Sequence, residues 1–192
     1  LYKDIFTFRD VRKPEMIEQL LKALAFQVGN EVSYHELART VGSDQATVQR
    51  YLDLLEKSFV LFRLPAYSRN LRNELTKSRK IYFYDNGIRN AIIGNYTLLP
   101  ARNDVGKLWE NFLVSERMKW LQHKRSYTLR YFWRTTESRE IDYLEEFDGN
   151  LLAFEFKWDP ERKVSFPKPF LNAYPEAKTG VVHRGNYFEF LV

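Results

Sequence analysis

The sequence has no cysteine, which excludes disulfides, thiolate-ligated zinc and thiol catalysis within this chain. Its three histidines, His35, His123 and His183, are scattered, so any metal has to be held by carboxylates. No apolar run approaches the ~20 residues of a membrane span, and no charged-then-apolar opening marks a signal. A cytoplasmic protein with no membrane partner is the expectation. The phosphate-cradling pattern G-x-x-x-x-G-K-[ST] is missing too, so this chain is not expected to hold a nucleotide in that way. It opens at Leu1 and not at methionine, and further sequence is expected upstream.

What is present is enough for a core. Of 192 residues, 44% are hydrophobic and 16% aromatic, spread along the chain, which predicts folded structure throughout. The 30 Lys and Arg exceed the 25 Asp and Glu, a formal +5. That balance suits nucleic acid without establishing it.

Along the first hundred residues, PEMIEQLLKALAFQV spaces Met16, Ile17, Leu20, Leu21 and Leu24 as one face of a helix. After Gly29 and Asn30, SYHE is a capping box in which Ser33 starts a second, short helix from Tyr34 to about Thr40. Gly42 permits a turn, and Ser43 can cap a third helix whose inner face is Val48, Tyr51, Leu52 and Leu55. FVLFRLP and KIYFYD then read as paired strands around a long basic connection carrying Arg69, Arg72, Lys77 and Arg79. Three helices followed by a hairpin is the pattern of a winged helix.

In such a module Gln45, Thr47, Gln49 and Arg50 can reach base edges in the major groove while the basic connection meets phosphate. Asp44, Asp53 and Glu56 on the same helix oppose a phosphate backbone, and protein docking is the alternative use of the same face.

Pro100 and the polar run after it mark a boundary near residue 100. Beyond it the sequence predicts a long helix from Val105 to about His123, a strand at YTLRYFWRT, a hairpin over EIDYLEEFDGNLLAFEFKW, a helix near Phe170, and terminal strands at TGVVHR and YFEFLV. That is α/β.

The hairpin holds the chemistry. Alternation puts Glu155 and Lys157 on one side of the second run, with Phe154 and Phe156 on the other. If Asp148 and Gly149 form a two-residue turn, Phe147 faces Asn150 and Asp142 falls opposite Glu155; a three-residue loop would place Asp142 opposite Phe156 instead. Two acids face to face destabilise the pair and call for a cation: Lys157, a metal, or both. Carboxylate oxygens suit Mg2+ or Mn2+, and a nearby lysine can orient a water or stabilise charge on a phosphate. Glu110 on the long helix can add a third carboxylate, or can pair with Arg117 or Lys107 as an ordinary helix-surface acid. For the hairpin residues the plain alternative is a solvent-facing salt bridge.

E-I-D-Y, twelve intervening positions between Asp142 and Glu155, then E-F-K, with W-E-N-F upstream, resembles the PD-(D/E)xK nuclease superfamily. The resemblance implies a restriction-endonuclease-like α/β domain in which Glu110, Asp142 and Glu155 hold the metal and Lys157 completes the catalytic set; Ile141 stands where the pattern has proline. Over nearly the whole chain, from YKDI through SYHELARTVGSDQATVQRYLDLLEKSFVLFRL, KIYFYDNGIRNAIIG and LWENFLVSE to the hairpin, the sequence looks like the C-terminal half of bacterial and archaeal AAA-type ATPases, a family whose role is poorly defined. That likeness implies an upstream ATPase module that binds ATP, a winged helix over 1–100 and the nuclease-like domain over 101–192. DNA is the implied partner and a homo-oligomer a further one. Mg2+-dependent hydrolysis of phosphodiesters and a non-enzymatic DNA-binding or protein-docking module on a degenerate nuclease fold both stay open.

Overall fold

The computed structural model describes residues 14–68 and 79–192. Among these, 14–63 and 79–98 form one compact unit, and 64–68 and 99–192 form another. Together they make a mixed α/β protein with seven α-helices and two sheets among the described residues.

In the first unit, α1 (Pro14–Phe26) buries Met16, Ile17, Leu20, Leu21, Leu24 and Ala25, the stripe the sequence predicts. β1 (Glu31–Val32) leads into α2 (Tyr34–Thr40), whose first turn is capped by Ser33 accepting from the Glu36 amide. α3 (Gln45–Lys57) buries Val48, Tyr51, Leu52 and Leu55. Its N-cap is Asp44, not Ser43: extended at φ −103°, ψ 161°, Asp44 accepts from the Thr47 amide at 2.8 Å and from the Thr47 hydroxyl at 2.9 Å. Two cap-forming residues stand side by side, and the one whose carboxylate reaches both Thr47 donors starts the helix. Asp44→Ala should cost about 1 kcal/mol of stability, read as a lower urea midpoint at unchanged m-value.

β2 (Leu61–Pro65) and β3 (Arg79–Phe83) follow, with β3 between β1 and β2 in the sheet. β3 pairs antiparallel with β1, and α4 (Asn86–Ile93), capped by Asp85, closes the unit.

The second unit contains α5 (Val105–His123), then a sheet in the order β4 (Leu129–Arg134), β5 (Glu140–Phe147), β6 (Asn150–Phe156) and β7 (Lys178–Val182). β4, β5 and β6 are antiparallel neighbours, while β7 runs parallel to β6. The β5–β6 turn has two residues: Phe147 faces Asn150, and Asp148 and Gly149 both take positive φ, 49° and 75°. Such a turn matches the twist of the strands it joins, and Asp-Gly tolerates it.

One core covers the sheet through Tyr131, Trp133, Ile141, Leu144 and Ala153 against Phe170 of α6 (Lys168–Ala173). YFEFLV, expected as a strand, is instead the short helix α7 (Tyr187–Leu191). Its Phe190 ring packs against Phe154 and Phe156 of β6 and Tyr143 of β5, at centroid distances of 4.9, 5.4 and 5.9 Å. Helix placement lets one ring cap three others, which an added edge strand would not do.

Candidate functional site

At its far end from the turn, the β5–β6 hairpin comes apart. The ladder runs from Phe147–Asn150 to Tyr143–Phe154 and stops there. Each strand meanwhile stays paired with its outer neighbour: β5 with β4 through Ile141–Trp133 and Glu140–Arg134, β6 with β7 through Glu155–Val181 and Phe156–Val182. β5 also carries a bulge, because only Phe132 separates Tyr131 and Trp133 whereas Asp142 and Tyr143 separate their partners Leu144 and Ile141. Bulges re-aim side chains and end pairing locally. The result is a notch between the two central strands.

Asp142 occupies this bulge. Its Oδ2 accepts from the Phe156 amide at 2.8 Å, so a side chain takes a donor that the parted strand no longer satisfies. Lys157 Nζ lies 3.6 Å from the same oxygen and donates to Glu155 Oε2 at 2.7 Å. Asp142, Glu155 and Lys157 therefore converge, through the bulge and a side-chain bond and not through direct backbone pairing of Asp142 with Glu155. The acids' side chains are 17% and 12% exposed and the lysine 29%, so the charges are sheltered but open to a ligand. Burial disfavours charge on Lys157, but the facing carboxylates of Asp142 and Glu155 outweigh it and hold its ammonium above the usual lysine value. A lysine held charged cannot serve as a general base near neutral pH; it can stabilise negative charge.

Glu110 is buried on α5 and has Lys107 Nζ 3.5 Å from its Oε2. Its neighbour Trp109 meets Trp158 edge to face at 5.4 Å, which brings this part of the helix near the residue after Lys157. Among the described residues no group of three or more His, Cys, Asp or Glu is arranged to hold a metal ion. Asp142 and Glu155 have the oxygen donors a hard divalent cation prefers, and Glu110, the third acid expected there, has Lys107 beside it.

Arg117, one candidate partner for Glu110, is engaged elsewhere. Its Nε and Nη2 donate to the two oxygens of Glu145 at 2.7 and 2.9 Å, and its Nη1 donates to the Phe190 carbonyl at 2.8 Å. Tyr143 donates to Glu145 at 3.1 Å. Burial, reinforced by Glu145, pushes the Tyr143 hydroxyl well up and keeps it a donor. Burial opposes the charge on Arg117, and the hydrogen bonds to Glu145 restore it. Two adjacent acids, Glu145 and Glu146, gave no sequence signal that one of them would be buried beneath α5 and α7.

In the first unit, Gln45, Gln49 and Arg50 are exposed on α3, while Thr47 is half-buried and tied to Asp44. Asp53 and Glu56 are not free acids. Arg63 of β2 donates to Asp53 at 2.7 Å, binds Glu56 through its backbone amide and guanidinium, and reaches the Tyr34 hydroxyl at 3.3 Å. One guanidinium thus offsets part of the negative charge of Asp53 and Glu56, while exposed Asp44, bonded to Thr47, keeps its own. Arg79 begins β3. Arg69, Arg72 and Lys77 lie outside the described residues.

Comparison with known families gives two matches: a domain of unknown function, DUF8612, over residues 1–98, and a second, DUF4143, over 105–190. The chain belongs to the DUF8612 family. An uncharacterised protein of Mycobacterium tuberculosis, Rv2008c, is 31% identical over 136 residues, covering 70% of this chain and 30% of the relative; Mb2031c of Mycobacterium bovis matches equally. An uncharacterised protein of Haemophilus influenzae is 26% identical over 191 residues, 97% of this chain and 44% of the relative. The chain thus spans less than half the length of these curated relatives. No solved structure matches it significantly. No helix among the described residues is long and apolar enough to cross a membrane.

Proposed function

We propose that this chain is the DNA-handling portion of an AAA-type ATPase, binding duplex through a winged helix in its first unit and hydrolysing phosphodiesters at the notch of a PD-(D/E)xK-like second unit. The observation that supports it most is the convergence of Asp142, Glu155 and Lys157 where the two central strands part. A strand pair that opens at a bulge, with two acids and a charged lysine at the opening, gathers the groups that metal-assisted phosphodiester hydrolysis uses. DUF4143 domains are typically found with AAA ATPases, which fits an ATPase module elsewhere in the full-length protein.

In this reading Asp142 and Glu155 would hold Mg2+ or Mn2+, which lowers the pKa of a bound water and neutralises phosphate charge. Lys157 binds a non-bridging phosphate oxygen or orients the attacking water, with its charge maintained by the two carboxylates. Asp142 keeps the notch open by satisfying the Phe156 amide. Incubating the protein with supercoiled plasmid and Mg2+ or Mn2+ should give nicked and linear DNA, and no product with either ion would refute the hydrolytic part.

For the first unit, Gln49→Ala with Arg50→Ala should weaken duplex binding by about tenfold or more, since a base contact is worth ~1–3 kcal/mol, and affinity should fall with added salt. Fluorescence anisotropy checks both; unchanged affinity in the double variant would remove α3 from the interface.

A second reading has its own observation. Lys157 already bridges both acids, and a closed ion-pair cluster can serve as structure alone. A non-enzymatic DNA-binding or docking module would bind duplex with the same salt dependence, cleave nothing, and take up no metal.

A further inference from the structure

In the first unit α2 ends at Thr40 and α3 begins at Gln45, and the residues between them bend at Gly42, whose φ is 62°. Two helices packed around so short a glycine turn are the arrangement in which a second helix can be offered to a major groove. What that helix offers is set by its period. Val48, Tyr51, Leu52 and Leu55 are buried, so at about 100° per residue the opposite arc runs through Gln49, Asp53, Ala46 and Arg50, with Ala46 near its middle. Ala46, Gln49 and Arg50 are exposed; Asp53, further along the helix, is paired with Arg63 at 2.7 Å. The smallest side chain therefore stands at the outermost point, between a carboxamide and a guanidinium. A groove floor can come close to the backbone there.

Charge decides how the helix can approach. Asp44 accepts from the Thr47 amide, which holds its carboxyl below the usual carboxylate value, so an anion stays at the start of α3. A phosphate is repelled from that end, and the helix has to enter by its outward arc. Backbone contacts must then come from a neighbouring element. Arg39, in the last turn of α2, is exposed and can make one. Thr47, half-buried and tied to Asp44, does not belong to the arc.

Each outward side chain has a base edge that it fits best. A glutamine carboxamide donates to adenine N7 while accepting from N6, an alanine methyl packs on the thymine methyl, and an arginine donates to guanine O6 and N7 together. We propose that α3 reads a short major-groove site of A·T pairs beside a G·C pair, with Gln49 on adenine, Ala46 on the thymine methyl of a neighbouring pair and Arg50 on guanine, while Arg39 holds the backbone. This rests on the reading of the first unit as a duplex-binding module and names the sequence class that it takes.

The test is selection of duplexes from a randomised pool by the whole chain, in EDTA so that nothing is cut, followed by anisotropy on the recovered site. Adenine, thymine and guanine clustered within a few base pairs are expected. Two edited sites then probe single contacts: 7-deazaadenine lacks the N7 acceptor, and uracil in place of thymine lacks only the methyl. Both should weaken binding to the wild type, the first by about tenfold, and the 7-deazaadenine edit should cost Gln49→Ala nothing. That substitution puts a stronger helix former on an exposed face, so the variant should fold. Arg39→Gln, by contrast, should weaken selected and random duplexes by the same factor and lower the salt slope by about 1. Sequence-independent binding, no penalty from either edited base, or an adenine preference that survives Gln49→Ala would each overturn the inference and leave duplex binding standing. No binding of any duplex at low salt would overturn both.

Discussion

Arg117→Met should lower the stability of the second unit by about 3–5 kcal/mol. The change keeps most of the side-chain volume but leaves Glu145, whose side chain is 3% exposed, without its cation. It also removes the donor to the Phe190 carbonyl and the guanidinium stacked 4.6 Å from the Trp120 ring centroid, so α7 loses an anchor together with β5. The cost comes mostly from stranding a buried carboxylate, and a second substitution distinguishes that from lost packing. Arg117→Met combined with Glu145→Leu should recover much of the loss, because a well-packed apolar pair of similar volume is often as stable as a buried ion pair. Urea denaturation followed by near-ultraviolet circular dichroism checks both variants. A loss below about 1 kcal/mol in the single variant would mean that Glu145 finds water or another donor.

If the notch hydrolyses phosphodiesters as proposed, Asp142→Asn should slow Mg2+-dependent cleavage at least about a hundredfold while leaving the fold in place. The asparagine oxygen can still accept from the Phe156 amide, so the parted end of the hairpin keeps its satisfied donor, and the stability change should stay under about 1 kcal/mol. What is lost is one negative charge from a cluster of two acids and one lysine. Partners that only orient a metal ligand cost ~10–100-fold when removed, so losing a ligating carboxylate should cost at least about a hundredfold in rate. Asp142→Ala removes the acceptor as well, and should add about 1–3 kcal/mol of destabilisation from the orphaned amide. Comparing the two variants by cleavage rate and by urea midpoint separates the chemical role of the charge from the structural role of the oxygen. Equal rates in wild type and Asp142→Asn would place the chemistry elsewhere.

Local signals carried most of the second unit's hairpin. Asp148-Gly149 between alternating runs fixes a two-residue turn, and that turn fixes the Phe147–Asn150 register on which the rest depends. The same logic stopped at Asp142, because a bulge is set by how a third strand pairs, and nothing within EIDY announces that Phe132 will be opposed by two residues. Helix α5 was legible from its length and flanks, whereas α7 was not: five residues with phenylalanine at alternate positions give a strand-like period, and only packing on Tyr143, Phe154 and Phe156 selects the helix. Long-range ion pairs were beyond reach for the same reason. Arg117 and Glu145 are 28 positions apart, and Arg63 meets Asp53 and Glu56 only because β2 returns alongside α3. In the first unit the stripe of α1 and the cap at Ser33 followed from neighbours in the chain, and the shift of the third helix start from Ser43 to Asp44 was a contest between two adjacent residues of similar capping strength.

The measurement closest to the central claim is calorimetric titration of Mn2+ into the wild-type chain and into Asp142→Asn. One saturable site in the wild type, weakened at least about tenfold in the variant, is the predicted result. The same weak, unsaturable heat from both proteins would contradict it, and would leave Asp142, Glu155 and Lys157 as an ion-pair cluster that closes the end of the sheet.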